Sequence, residues 1–102
     1  MDKNSIIERL IPLLQKSKAR KAILFGSLAT GRASRRSDLD LMIVMDTEKR
    51  FFDRHDEFQE IFDSFPGLAI DLLIYTPEEL ERIRHRRFIR DIFSKGKVIH
   101  EH

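Results

Sequence analysis

Two aspartates separated by one residue, Asp38 and Asp40, open a strongly apolar run, Asp-Leu-Asp-Leu-Met-Ile-Val-Met at 38–45. In an extended strand alternate side chains share a face, so both carboxylates point the same way. Their Cα atoms then lie about 6.6 Å apart at a rise of about 3.3 Å per residue. Two carboxylates at that spacing can grip a divalent cation, while Leu39, Leu41 and Ile43 turn to the opposite face and enter a core. Asp71 repeats the pattern in Leu-Ala-Ile-Asp-Leu-Leu-Ile-Tyr at 68–75. A carboxylate in so apolar a strand is costly to bury unless it is paired or bound to metal. If the third strand lies beside the second, Asp71 completes a set of three hard oxygen donors, which suits magnesium or manganese better than zinc.

Ahead of these stands Gly26-Ser27, at the end of the short apolar run Lys21–Phe25. A strand that ends in Gly-Ser and turns into a helix offers backbone N–H groups and a hydroxyl to phosphate oxygens. Gly26 lets the backbone approach closely, with no Cβ in the way. A phosphate cradle facing a metal cage is the equipment of phosphoryl or nucleotidyl transfer, for which two metals would stabilise the attacking and leaving oxygens. Each feature also has a plainer use. Asp38 and Asp40 could be solvent-facing residues at a strand start, Asp71 the partner of a nearby arginine, and Ser27 a simple helix cap.

The elements that position these residues follow from periodicity and punctuation. A helix is expected over 5–17, capped by a Ser5/Glu8 box, with Pro12 kinking it or marking its start. Strands are expected at 21–25, 38–45 and 68–75, with a short helix from Ser27 to about Thr30 and a polar, basic loop at 32–37. A helix is expected at about 47–64, carrying Phe51, Phe58, Ile61 and Phe62, before the Pro66-Gly67 turn. Thr76 caps a further helix with Pro77 at its first position, running to about Ser94, and residues 97–100 add a short edge strand. This order gives an α+β (α/β) fold, a small mixed sheet of three to five strands with helices packed mainly on one face.

The 102 residues suit one domain, 1–102. With no Cys, disulfides, thiolate zinc sites and thiol nucleophiles are excluded. No run approaches the roughly 20 apolar residues of a membrane helix, so a cytoplasmic protein is expected. A formal charge of +2 is too mild to argue for nucleic acid as the main substrate. Basic residues cluster instead, at Arg32, Arg35 and Arg36 and again from Arg82 to Arg90, the second cluster reading as a solvated helix face. Arg50-x4-His55 has the spacing of a HEPN ribonuclease motif but belongs to the polar side of an amphipathic helix, Arg54 and Asp56 included. His85, His100 and His102 lack partners at ligand spacing. Tyr75 is expected to pack at a strand end. Eight Phe residues are many for so small an interior, so some are expected at the surface.

Gly-Ser-x10-Asp-x-Asp followed by a single strand aspartate resembles the DNA polymerase β-type nucleotidyltransferase superfamily. The likeness is strongest to its minimal prokaryotic members, encoded beside HEPN-domain toxins. It covers nearly the whole chain, including Ser-Asp-Leu-Asp-Leu at 37–41, Asp-Leu-Leu-Ile-Tyr at 71–75 and Gly-Lys-Val-Ile-His at 96–100. The resemblance implies that Gly26 and Ser27 bind the β- and γ-phosphates of an ATP donor. It implies that Asp38 and Asp40 ligate two Mg2+ ions, and that Asp71 ligates one and helps deprotonate the attacking hydroxyl. It implies an antitoxin that transfers AMP to a protein hydroxyl, a tyrosine of a HEPN-domain toxin. Alternatives are an antitoxin acting by binding alone and transfer to a small molecule. Relatives often carry a basic residue in Gly-Ser-x-Ala-Arg-Gly; here Leu28-Ala29-Thr30-Gly31 follows, so Arg32 and Arg36 are the nucleotide-binding candidates.

Overall fold

The computed structural model describes residues 2–26 and 38–102. The first helix, α1 (Lys3–Gln15), is capped one turn earlier than the Ser5/Glu8 reading. The Asp2 carboxylate accepts from the Ser5 N–H at 2.9 Å, and the helix runs on through Pro12. An aspartate at the N-cap satisfies one orphan N–H and complements the helix dipole. Ile6, Leu10 and Leu14 are its buried stripe.

Four strands form one sheet in the order β3-β2-β1-β4: β1 (Lys21–Phe25), β2 (Leu39–Val44), β3 (Ile70–Tyr75) and β4 (Lys97–Glu101). β1 runs antiparallel to β2 and β4, and β2 runs parallel to β3. A parallel pair needs a long crossover. Here a 3-10 segment, Phe51–Phe58, followed by α2 (Gln59–Ser64), replaces the single helix expected at 47–64. At three residues per turn, positions i and i+3 eclipse. Accordingly Arg54 stacks over the Phe51 ring, 5.8 Å from its centroid.

The helix expected from 77 to 94 is two helices, α3 (Pro77–Ile83) and α4 (Arg87–Lys95). Leu80 and Ile89 are both buried. In one continuous helix at about 100° per residue they would stand on opposite faces. A break is therefore required to bury both. The run of like charges between them adds i, i+4 repulsion that favours it.

The larger core lies on the sheet face covered by α1 and α2, where Leu10, Leu14, Leu41, Ile43, Leu72 and Ile74 meet. Strand alternation puts Ile23, Phe25, Met42 and Val44 on the other face, where they form a smaller cluster with Leu80, Ile89 and Ile92. The face that carries the aspartates at one end is thus packed along its middle. Among the described residues no helix is long and apolar enough to cross a membrane.

Candidate active site

The aspartates fall at one end of the sheet, where β2 and β3 begin and β1 ends. Asp40 and Asp71 are direct register partners in the parallel β2–β3 pair. Neighbouring strands lie about 4.8 Å apart, so the two carboxylates rise side by side from the smaller-cluster face. Asp40 is buried at 6% exposure, whereas Asp71 is open to solvent. The expectation that Asp71 carries a burial cost is therefore corrected. β3 is an edge strand, and its outward end leaves that carboxylate hydrated.

Asp38 sits just before β2 and is exposed. Its N–H donates to the Ala69 carbonyl at 2.8 Å, and its carboxylate accepts from the Ala69 N–H at 3.1 Å. These two bonds fix the start of the parallel ladder and hold the Asp38 side chain toward 69. Among the described residues no three His, Cys, Asp or Glu side chains are gathered closely enough, as they stand, to hold a metal ion. Strand register delivers two carboxylates, Asp40 and Asp71, to one place, while the Asp38 carboxylate is turned to the Ala69 N–H. All-oxygen, anionic donors of this kind fit a hard divalent cation.

Gly26 faces Asp40 across the β1–β2 pair. Its φ is +70°, and a Cβ built there would overlap the Asp40 Oδ2. Glycine is required here twice over, for the left-handed backbone and for the carboxylate that occupies the space. The sequence pointed to close approach by a ligand; the nearer neighbour is the chain's own aspartate. Ser27, Arg32, Arg35 and Arg36, with the short helix and basic loop expected there, lie outside the described residues.

At the opposite end of β3, sequence reasoning missed a buried charge. Arg54, assigned to a polar helix face, is only 4% exposed. Its guanidinium meets the Glu79 carboxylate through both terminal nitrogens, at 2.6 and 2.9 Å, and donates to the carbonyls of Ile74 and Lys49 at 2.9 and 3.0 Å. Glu79 also accepts from the Thr76 N–H, closing the capping box of α3. The Arg54 guanidinium beside it holds the Glu79 carboxyl down at about 2. The available signal was Thr76-x-x-Glu79, which fixes one end of the pair.

His55 Nε2 donates to the Leu72 carbonyl at 2.7 Å, a structural use that accounts for half of the Arg50/His55 spacing. His100 is buried and donates to the Ala19 carbonyl at 3.0 Å, so it tethers the last strand rather than trailing in solvent. Tyr75 packs at its strand end as expected, 5.4 Å from Phe51, and burial pushes its phenol up. The arginines from 82 to 90 are exposed, and Phe52, Phe88 and Phe93 are the surface rings.

A four-stranded mixed sheet with acidic residues in register on adjacent parallel strands, facing a glycine at the end of a third, fits a nucleotidyltransferase. The polymerase β nucleotidyltransferase profile matches residues 8–102, and the chain belongs to that family. It is 31% identical to MJ1305 of Methanocaldococcus jannaschii, provisionally named a protein adenylyltransferase, over 99% of this chain and 76% of that protein. Among solved structures, a provisionally named nucleotidyltransferase from Sulfolobus solfataricus superposes with a TM-score of 0.60 at 16% identity, over 94% of this chain and 80% of that one. A toxin–antitoxin structure with AMP-PNP gives 0.64 at 20% identity, over 94% and 73%. The MntA-HpeT toxin–antitoxin, as a double aspartate-to-glutamate variant, gives 0.63 at 18%, also over 94% and 73%.

Proposed function

We propose that this chain is an antitoxin that transfers AMP from ATP to a protein hydroxyl, a tyrosine of a partner HEPN-domain toxin. The single observation that carries the reading is the register pairing of Asp40 with Asp71 beside Gly26. The provisional name of the M. jannaschii relative and the toxin–antitoxin setting of two structural neighbours support the acceptor class.

In this reading Asp38, Asp40 and Asp71 hold magnesium, and the Gly26-Ser27 turn holds the β- and γ-phosphates with help from Arg32 and Arg36. Bound magnesium supplies charge stabilisation to the phosphate oxygens. The hydroxyl oxygen attacks the α-phosphorus, the bond to the β-phosphate oxygen breaks, and pyrophosphate leaves. Asp71, the more open of the register pair, accepts the hydroxyl proton at its carboxylate. Asp40, pressed against Gly26, has its carboxylate confined in direction.

The test is incubation with labelled ATP, magnesium and a HEPN-domain protein as acceptor. Label on the toxin that disappears with Asp40→Asn supports the reading. The hold of Ala69 on Asp38 favours a second reading, neutralisation by contact alone. Toxin inhibition that survives Asp40→Asn without any label would establish that one.

A further inference from the structure

On the same sheet face as the aspartates, a cleft of about 240 Å3 opens between the end of β1 and α4. Its lining includes Phe25, Gly26, Phe88, Asp91, Lys95 and Gly96. The cleft therefore begins at the glycine that touches Asp40, and Phe25 is the strand partner of Asp40. Its volume falls below the about 300–1,000 Å3 that encloses a whole drug-sized ligand, and suits one part of a nucleotide.

The lining decides which part. Phe88 is 55% exposed, yet its ring is held edge-on against Phe25 with centroids 5.9 Å apart. An aromatic ring that is fixed on one side and open on the other is a stacking platform. Phosphate oxygens would meet a largely apolar wall and the Asp91 carboxylate, against a single cation, Lys95, which is a poor setting for a triphosphate. A planar base would meet a ring to stack on, a cationic donor in Lys95 and an acceptor in Asp91. Neither side chain is in an ion pair among the described residues. Gly96 keeps the floor in place, because a Cβ there would strike the Ile92 carbonyl and the Ile23 side chain.

We propose that this cleft binds the nucleobase of the donor and selects adenine. Adenine presents an acceptor at N7 next to a donor at N6, which complements one cation and one carboxylate. Guanine presents two acceptors, N7 and O6, on the same edge, and its O6 would face Asp91. Phe88 stacks on the base, Lys95 donates to N7 and Asp91 accepts from the N6 amino group. The inference rests on the nucleoside triphosphate donor of the proposed function and adds its base specificity.

Equilibrium binding of ATP, GTP and inorganic tripolyphosphate, each with magnesium, tests it on the full chain and on Phe88→Ala, Phe88→Tyr and Asp91→Asn. Base–aromatic stacking measured by alanine substitution corresponds to about a 5- to 150-fold change in affinity. Phe88→Ala should weaken ATP by a factor in that range and leave tripolyphosphate unchanged, and Phe88→Tyr should restore ATP. Asp91→Asn should narrow the preference for ATP over GTP by about tenfold. ATP binding that is indifferent to Phe88, or equal affinity for ATP and GTP in the unaltered chain, overturns the base site and leaves the proposed function standing. No binding of any of the three ligands overturns both.

Discussion

The two ends of the β2–β3 pair handle charge in opposite ways. At the C-terminal end of β3, Arg54 is buried but saturated by Glu79 and two backbone carbonyls. At the N-terminal end, Asp40 is buried at nearly the same exposure, and the nearest charged neighbour that register gives it is another carboxylate, Asp71. Opposite charges in full contact stabilise a fold only modestly against their desolvation, but removing one partner is costly. Like charges placed side by side oppose folding and are kept where a cation or a reaction needs them. The first end holds the crossover segment, β3 and α3 together. The second is where chemistry is to be sought.

The comparison breaks most sharply at Asp40. Asp40→Asn should lower nucleotidyl transfer at least about 100-fold, a loss of several kcal/mol of charge stabilisation. Its thermal midpoint should change far less than its turnover, since Asn keeps the size of the side chain. Turnover near that of the unaltered chain would place the chemistry elsewhere. Arg54→Ala should do the reverse. Denaturant titration should show a loss of about 3 kcal/mol, the low end for a broken buried pair because Glu79 is partly open to solvent. Turnover per folded molecule should be little changed.

Gly26→Ala links the two behaviours. The left-handed backbone costs an alanine about 1–2 kcal/mol, and its Cβ displaces the Asp40 carboxylate. Activity should therefore fall further than stability, read by comparing turnover with the unfolding midpoint. The smallest effect is with pH. Glu79 has a folded value of about 2 against an ordinary 4.5. Its contribution is thus full above about pH 5 and is lost as pH falls through 4.5 towards 2. Arg54→Ala should flatten that acid limb of the stability profile.

Much of this was legible in the chain itself. Alternation in 38–45 placed Leu39, Leu41 and Ile43 in the core and set Asp38 and Asp40 apart from them, because strand geometry has a period of two whatever the strand packs against. Thr76-Pro77 and Glu79 marked the start of α3 for equally local reasons. The break between α3 and α4 was also within reach, since Leu80 and Ile89 cannot share a face of one helix. Other features depended on who the neighbours are. Only the parallel pairing of β2 with β3 sets Asp71 opposite Asp40. Only the fold draws Arg54 inward, because its partners Glu79 and the Ile74 carbonyl lie 25 and 20 residues further along the chain. Residue types and spacing determine which groups can do chemistry and which side of a strand they occupy. Which strands meet, and so which charged groups become neighbours, is a long-range choice made by packing.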